Sequence, residues 1–283
     1  MYIADGWTDY ELMDCGGGDK FERWGKHTLL RPDPQAIWPM EPCSPDAVYH
    51  RSSAGGGAWE YLRPLPENWE ISYGDLSFVV RPTGFKHTGL FPEQAVNWDW
   101  MRRLIEGAKR PVSVLNLFAY TGGATVACLK AGAQVLHLDA SKGMVAWAKD
   151  NTAASGVACA PVRYIVDDAM KFVQRERRRG RFYDAVIMAP PSYGRGPTGE
   201  MWKIEDGLYP LVSACADILS KEPLFFLINS YTTGLAPAVL KNLLDIALLP
   251  RFGGSAEAAE VALPCSRRSI MLPCGASGRW MAD

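Results

Sequence analysis

The chain has 283 residues, 48% hydrophobic and 22% charged, enough apolar material for a sizeable core and too little bias for a disordered polymer. Lys+Arg 30 against Asp+Glu 31 gives a net charge of −1, which excludes a strongly basic nucleic-acid footprint as a bulk property while leaving local patches open. Seven cysteines without a CxxC pair read as free thiols in a reducing compartment, and no signal-peptide core or apolar run of about 18 residues interrupts the sequence, so a cytoplasmic protein is expected.

Residues 1–82 are rich in Trp, Pro and Gly and carry short strand-like runs at His27 to Arg31, Ala47 to Arg51, Ala58 to Leu62, Trp69 to Tyr73 and Leu76 to Arg81. Turn signals such as Gly55-Gly56-Gly57 and Gly74-Asp75 separate them. The spacing predicts a small antiparallel β-rich unit. Trp7, Trp24, Trp38, Trp59 and Trp69 are either core residues or platforms for bases. Beyond it, Gly84 to Gln94 reads as a loop, and Pro92 opens a helix to about Lys109 with Trp98, Met101, Leu104 and Ile105 on one face. Lys86 and His87 in that loop are suited to meet an anionic carboxylate or phosphate.

The most informative stretch runs from Pro111 to Asp139. Val112 to Phe118 reads as a buried strand, Tyr120-Thr121-Gly122-Gly123 as a tight turn, and Ala124 to Lys130 as a helix closed by Ala131-Gly132. A second strand, Gln134 to Leu138, ends on Asp139. Glycines at the first turn let a ligand approach free backbone N–H groups, and an acid about 20 residues on can bind the two hydroxyls of a ribose. The turn lacks the GxGxxG spacing of a dinucleotide cradle. A nucleoside with a short zwitterionic tail needs less. A parallel α/β core whose glycines serve only close packing is the plain alternative.

Ser141 is suited to cap a helix through Asn151, with Met144, Val145 and Ala148 turned inward. Strand three, Arg163 to Val166, ends on Asp167-Asp168; one of the two acids can cap the helix from Ala169 to Arg179. That helix finishes in Arg175, Arg177, Arg178, Arg179 and Arg181, a basic run that suits either solvent or RNA. Strand four, Ala185 to Met188, leads into Ala189-Pro190-Pro191-Ser192-Tyr193 and a glycine-rich loop, Gly194 to Glu200, with Arg195 and Lys203 as phosphate partners. Strand five, Leu224 to Ile228, leads into Asn229-Ser230; helix Pro237 to Leu248 and strands Ala258 to Leu263 and Ser269 to Leu272 complete the chain. No metal-ligand motif is present, and no metal is expected.

NLFAYTGGATV, LDASKGMVAWAKDN, VDDAMKF and MAPPSYGRG together resemble the motifs of class I S-adenosylmethionine-dependent methyltransferases, nearest the bacterial branch that modifies large-subunit ribosomal RNA. The resemblance covers roughly Thr83 to Thr233. It implies an α/β, Rossmann-like methyltransferase domain over 83–283, with a seven-stranded, mostly parallel sheet and helices on both faces. It implies S-adenosylmethionine contacts from Asn116, Phe118, Ala119, Tyr120, Thr121, Gly122, Gly123, Asp139, Ala140, Ser141, Asp167, Asp168, Ala169 and Ala189. From the segment ahead of the first core strand it adds Phe85, Lys86, Thr88 and Gln94. Pro190, Pro191, Ser192 and Tyr193 correspond to the catalytic motif that faces the target base.

Two departures stand out. The motif acid is replaced by Ala189, whose methyl group neither accepts a proton nor holds a base edge. Ser230 stands where relatives that methylate cytosine C5 carry a nucleophilic cysteine. The expectation is therefore methyl transfer to a nitrogen of an RNA base. A small-molecule or protein methyltransferase, and a cofactor-binding protein with impaired catalysis, remain as alternatives.

Overall fold

The computed structural model describes residues 1–52, 56–196 and 198–283; Gly55 and Pro197, named above, lie outside the described residues. The chain divides into two units, Tyr2–Val96 with Ala262–Cys274, and Asn97–Val261 with Gly275–Asp283 and Met1. The division falls after Val96, so the segment 83–96 goes with the β-rich unit.

The first unit contains strands β1 (Tyr2–Ile3), β2 (Tyr10–Gly16), β3 (Asp19–Trp24), β4 (His27–Pro32), β5 (Ala47–Arg51), β6 (Gly57–Tyr61), β7 (Trp69–Tyr73) and β8 (Leu76–Val80). β2 to β6 form one sheet in sequence order, parallel only between β4 and β5, and β7 and β8 form a separate antiparallel pair. β2 and β3 escape a period-two reading for two reasons. A bulge between Leu12 and Asp14 breaks the alternation, and the acids Asp14 and Glu22 occupy buried positions. Glu22 is tolerated there because Arg31 grips it with two bonds of 2.6 and 2.8 Å and the Tyr10 hydroxyl donates a third at 2.8 Å. Burial pushes the Glu22 carboxyl upward, but Arg31 and Lys20 outweigh it and hold the group below its ordinary value. Four of the five tryptophans spend their indole N–H on backbone carbonyls: Trp7 on Pro92, Trp38 on Cys15, Trp59 on Thr83 and Trp69 on Trp24. Trp24 itself is fully buried beneath the Arg31 guanidinium. These rings hold the unit together.

The second unit is built from α1 (Ala95–Gly107), β9 (Ser113–Leu117), α2 (Gly123–Lys130), β10 (Gln134–Asp139), α3 (Lys142–Ala154), β11 (Val162–Val166), α4 (Ala169–Arg178), β12 (Ala185–Met188), β13 (Tyr193–Arg195), β14 (Met201–Lys203), α5 (Ile204–Ala216), β15 (Phe225–Ser230), α6 (Pro237–Phe252), β16 (Ser255–Pro264) and β17 (Met271–Met281). The large sheet has eight strands, in the order β1-β16-β17-β15-β12-β9-β10-β11, one more than the seven expected because the two-residue β1 pairs at its edge. β9 to β12 and β15 run parallel, while β17 is antiparallel to β15. Leu115, Leu117, Val186, Met188, Phe226 and Ile228 share one sheet face and join a core with Phe172 of α4, Leu211 of α5 and Leu244 of α6. Alternate residues point the other way. There Asn116 and His137 meet Thr125 of α2, and Phe225 meets Trp100 of α1. With helices on both faces, the strands read as continuous apolar runs. No helix is long and apolar enough to cross a membrane among the described residues.

Candidate functional site

Strand order reverses between β9 and β12: the chain moves outward from β9 through β10 to β11, then returns to lay β12 on the other side of β9. Ligands of such sheets bind at the carboxyl ends of the strands flanking this reversal. Leu117 of β9 is in register with Leu138 of β10 and Met188 of β12, so the three strand ends finish level. The turn after β9, Asp139 after β10 and the Ala189 segment after β12 therefore share one edge.

The turn is conformationally unusual. Phe118 and Tyr120 have φ of 53° and 51°, and Gly122 has φ of 84°. Two non-glycine residues in the left-handed region within three positions mark a backbone held there by its surroundings. Asp139 does much of the holding. One carboxylate oxygen accepts the Tyr120 amide and the other the Ser141 amide, both at 2.8 Å. Burial raises the Asp139 pKa and these two amides oppose the rise. Among the described residues no cation pairs with it. Its remaining lone pairs suit hydroxyl donors.

Gly122 is the residue before α2, whose start has no side-chain cap. A Cβ there would lie 3.0 Å from the Ala148 Cβ, so glycine is required by packing toward α3 as well as by its φ. Beneath the turn, Asn116 donates to the Thr125 hydroxyl at 3.0 Å and Thr125 meets His137 Nδ1 at 2.9 Å. Asn151 donates to the Thr121 carbonyl at 2.7 Å. Burial lowers the His137 pKa to about 4, leaving the ring neutral. Ser141 caps α3 by accepting from the Met144 amide. Asp168 caps α4 through the Lys171 amide at 2.9 Å, while Asp167 accepts the Asp168 amide at 2.8 Å and pairs with Arg175 at 2.5 Å. The capping acid is thus Asp168. Ala140 and Ala169 sit next to these groups, at the end of β10 and the start of α4.

After β12, the Ala189 amide donates to the Leu117 carbonyl at 3.4 Å. Pro190 is buried, whereas Pro191, Ser192 and Tyr193 are exposed. The Ser192 and Thr232 hydroxyls are bonded at 2.6 Å. Trp202 of β14 donates its indole N–H to the Pro191 carbonyl at 2.6 Å, and its ring lies 5.2 Å from that of Phe118. Neither Trp202 nor Thr232 is marked by the sequence, because each contact depends on a fold-back: Trp202 through the β13–β14 hairpin and Thr232 through the turn after β15. Ser230 is buried and its hydroxyl accepts from the Thr232 amide at 3.2 Å. Its neighbour Asn229 is fixed by Asn97 and Ser277, while Arg279 donates to Asn97.

Of the cysteines, Cys128 and Cys215 are buried in α2 and α5, and burial drives the Cys128 thiol up to about 12 and the Cys215 thiol higher still. Cys159 precedes β11 and so belongs to the opposite, amino edge of the parallel strands.

Phe85, Lys86, Thr88 and Gln94 belong to the β-rich unit. Thr88 is fully buried, Lys86 donates to the Pro32 carbonyl at 3.2 Å, Phe85 is exposed, and Gln94 closes the short 3-10 turn that precedes α1. In the basic run, Arg175, Arg177 and Arg179 pair with Asp167, Asp217 and Glu176.

A family model described as S-adenosylmethionine-dependent methyltransferase matches residues 41–204. The crystal structure of a SAM-dependent methyltransferase from Agrobacterium tumefaciens is 35% identical, with a TM-score of 0.94 over 99% of this chain and 93% of that one. Among curated proteins, the chain is similar to ribosomal RNA large subunit methyltransferase K/L of Syntrophotalea carbinolica, 29% identical over 53% of this chain and 20% of that protein. It is also similar to ribosomal RNA large subunit methyltransferase I of Photobacterium profundum, 30% identical over 53% of this chain and 40% of that protein. The similarity thus spans well under half the length of these two curated relatives.

Proposed function

Because the chain belongs to the S-adenosylmethionine-dependent methyltransferase family, we propose that it methylates a nitrogen of a base in RNA, with ribosomal RNA as the foremost substrate. The cofactor supplies an electrophilic methyl group. Asp139 is the observation that carries the site. It is largely withdrawn from solvent, has no cation beside it among the described residues, and uses only one lone pair of each oxygen on the turn. That leaves acceptors for the two ribose hydroxyls. In this reading the Tyr120–Gly123 turn and the uncapped start of α2 receive the methionine portion, and Asp167, with Ala169 beside it, receives the adenine.

The preference for nitrogen rests on what the edge lacks. Addition to C6 of a pyrimidine needs a thiolate. Ser230 sits at the end of β15, and the unit's cysteines are either buried with raised pKa values or at the opposite edge. Nitrogen needs in-line placement, which Pro190, Pro191, Ser192 and Tyr193 serve by positioning the base, and its proton passes to water as the methyl group is received. The RNA substrate is supported by the activities for which the curated relatives are named.

Ala189 favours a second reading, a cofactor-binding protein with impaired catalysis. Methyl incorporation from labelled S-adenosylmethionine into total RNA from a strain lacking the gene separates the two, with calorimetry of cofactor binding alongside. Incorporation, with digestion giving a nucleoside methylated on a ring or exocyclic nitrogen, supports the nitrogen reading; cofactor binding without incorporation supports the second.

A further inference from the structure

The β-rich unit carries a cavity of 280 Å³ whose walls include Tyr49, Arg51, Phe85, Lys86 and His87. Its backbone is fixed from several sides. Trp59 donates to the Thr83 carbonyl at 2.8 Å, the Thr83 hydroxyl to the His87 carbonyl at 2.8 Å, and Arg31 to the Lys86 carbonyl at 2.8 Å. Tyr49 is buried against the Trp59 ring. On this fixed loop the Phe85 ring is left 64% exposed. A large aromatic ring held out to solvent by a pinned backbone is a platform for another flat group.

The charge on these walls is one-sided. Arg31 spends itself on Glu22, and Lys20 lies 3.3 Å from Asp33. Arg51 and Lys86, in contrast, have no carboxylate within ion-pair distance among the described residues. Burial lowers the Lys86 pKa to about 8; Lys20, Arg51 and Arg31 push the same way, and Asp33 alone opposes them. An anion between Arg51 and Lys86 relieves that repulsion. His87, lowered by burial to about 4, contributes a neutral ring.

We propose that this cavity is a second RNA subsite: it takes one nucleotide of a single-stranded segment outside the target base, its phosphate on Arg51 and Lys86 and its base on Phe85. The inference rests on the RNA reading given above. The pocket is open to solvent and presents one exposed ring beside two cations, which suits a single splayed nucleotide, whereas a duplex is read across its wide minor groove. Stacking on an aromatic face is tolerant of sequence, so this subsite supplies affinity rather than base identity.

The test is fluorescence anisotropy of a labelled single-stranded oligoribonucleotide across a salt series, using the full chain and Arg51→Gln, Lys86→Gln and Phe85→Ala, with thermal melting to show that each variant folds. Arg51→Gln and Lys86→Gln each weaken binding about tenfold at low salt, and the two substitutions together reduce the slope of log affinity against log salt by about 0.7, the share of the one phosphate they hold. Phe85→Ala weakens binding about tenfold with the slope unchanged. Calorimetry gives S-adenosylmethionine affinity in parallel, and Arg51→Gln leaves it as in the parent. If the parent binds the RNA and all three variants bind it equally well, the subsite is overturned while the RNA reading stands. If Lys86→Gln and Phe85→Ala lose cofactor affinity and keep RNA affinity, the loop belongs to the cofactor and the subsite is again overturned. If the parent does not bind RNA at low salt, the RNA reading itself falls and the subsite with it.

Discussion

Trp202 donates its indole N–H to the Pro191 carbonyl at 2.6 Å, and the same ring lies against Phe118, the first left-handed residue of the turn after β9. One side chain thus ties the Pro-Pro segment to that turn. Space for it is built in. A Cβ at Gly207 would come within 2.6 Å of the Trp202 ring, so the glycine in the first turns of α5 is what lets the ring lie there. Trp202→Phe keeps the ring and removes the donor. It is expected to cost about 1 kcal/mol in stability and to lower kcat for methyl transfer about tenfold, with cofactor affinity within about a factor of two. Gly207→Ala displaces the ring and should lower kcat at least as much. Steady-state kinetics of both variants check this; wild-type kcat in Gly207→Ala would show that the tie has no bearing on turnover.

Asp139 holds the turn and, in the proposed function, the ribose. In Asp139→Asn the amide N–H₂ confronts one of two backbone donors, Tyr120 or Ser141, that now point at carboxylate oxygens. Loss of a charged acceptor is worth about 1.5–3 kcal/mol. S-adenosylmethionine affinity is therefore expected to fall by roughly ten- to a hundredfold, and S-adenosylhomocysteine affinity in parallel, since both share the ribose. Calorimetry with the two ligands measures this. Equal affinity in the variant would remove Asp139 from the cofactor site.

The legible parts of this chain are those in which local pattern and tertiary role agree. β12 is apolar on both faces because helices cover both, the buried residues of β9 and β10 depart from that only at Asn116 and His137, which share Thr125 of α2, and Asp139 and Ser141 follow at spacings set by the βαβ unit. Agreement fails at β2 and β3, where Asp14 is buried beside Arg268 and Glu22 beside Arg31, so that acids fill core positions. It fails again after Tyr193. α5 carries Gly207 and Pro210, residues that signal a break, and its apolar face is paired with α4 and α6 rather than announced by local propensity. Within the candidate site, Asp167 and Asp168 could not be told apart by sequence because both follow the same strand; only the cap geometry separates them.

His137 and His87 give the fold a defined pH dependence. Burial lowers both from the ordinary 6.5 to about 4 in the folded chain. The unfolded chain therefore takes up protons first as pH falls. The stabilisation from keeping the rings neutral is full above about 6.5, declines as pH drops, and is gone once pH passes the folded value near 4. His137→Gln should flatten the fall of Tm between these limits, since Gln can accept from Thr125 without titrating. Melting curves at steps across that window test it; an unchanged slope in the variant would place the pH dependence elsewhere.

Ala189 poses the sharpest question about turnover. Its amide is tied to the Leu117 carbonyl, and the rigid Pro190-Pro191 pair follows, so the backbone of this segment is set without help from a side chain at 189. An aspartate introduced there gains an acceptor at the level edge formed by β9, β10 and β12. If the parent already transfers methyl groups to RNA, Ala189→Asp is expected to alter kcat by less than about threefold, because transfer to nitrogen draws on placement more than on a strong base. If the parent binds S-adenosylmethionine without transferring, Ala189→Asp restores incorporation into RNA, and the missing carboxylate is the cause of the silence. Single-turnover incorporation in parent and variant distinguishes these. A silent parent whose Ala189→Asp variant is also silent would remove the acid as the explanation and turn the search toward a substrate other than RNA.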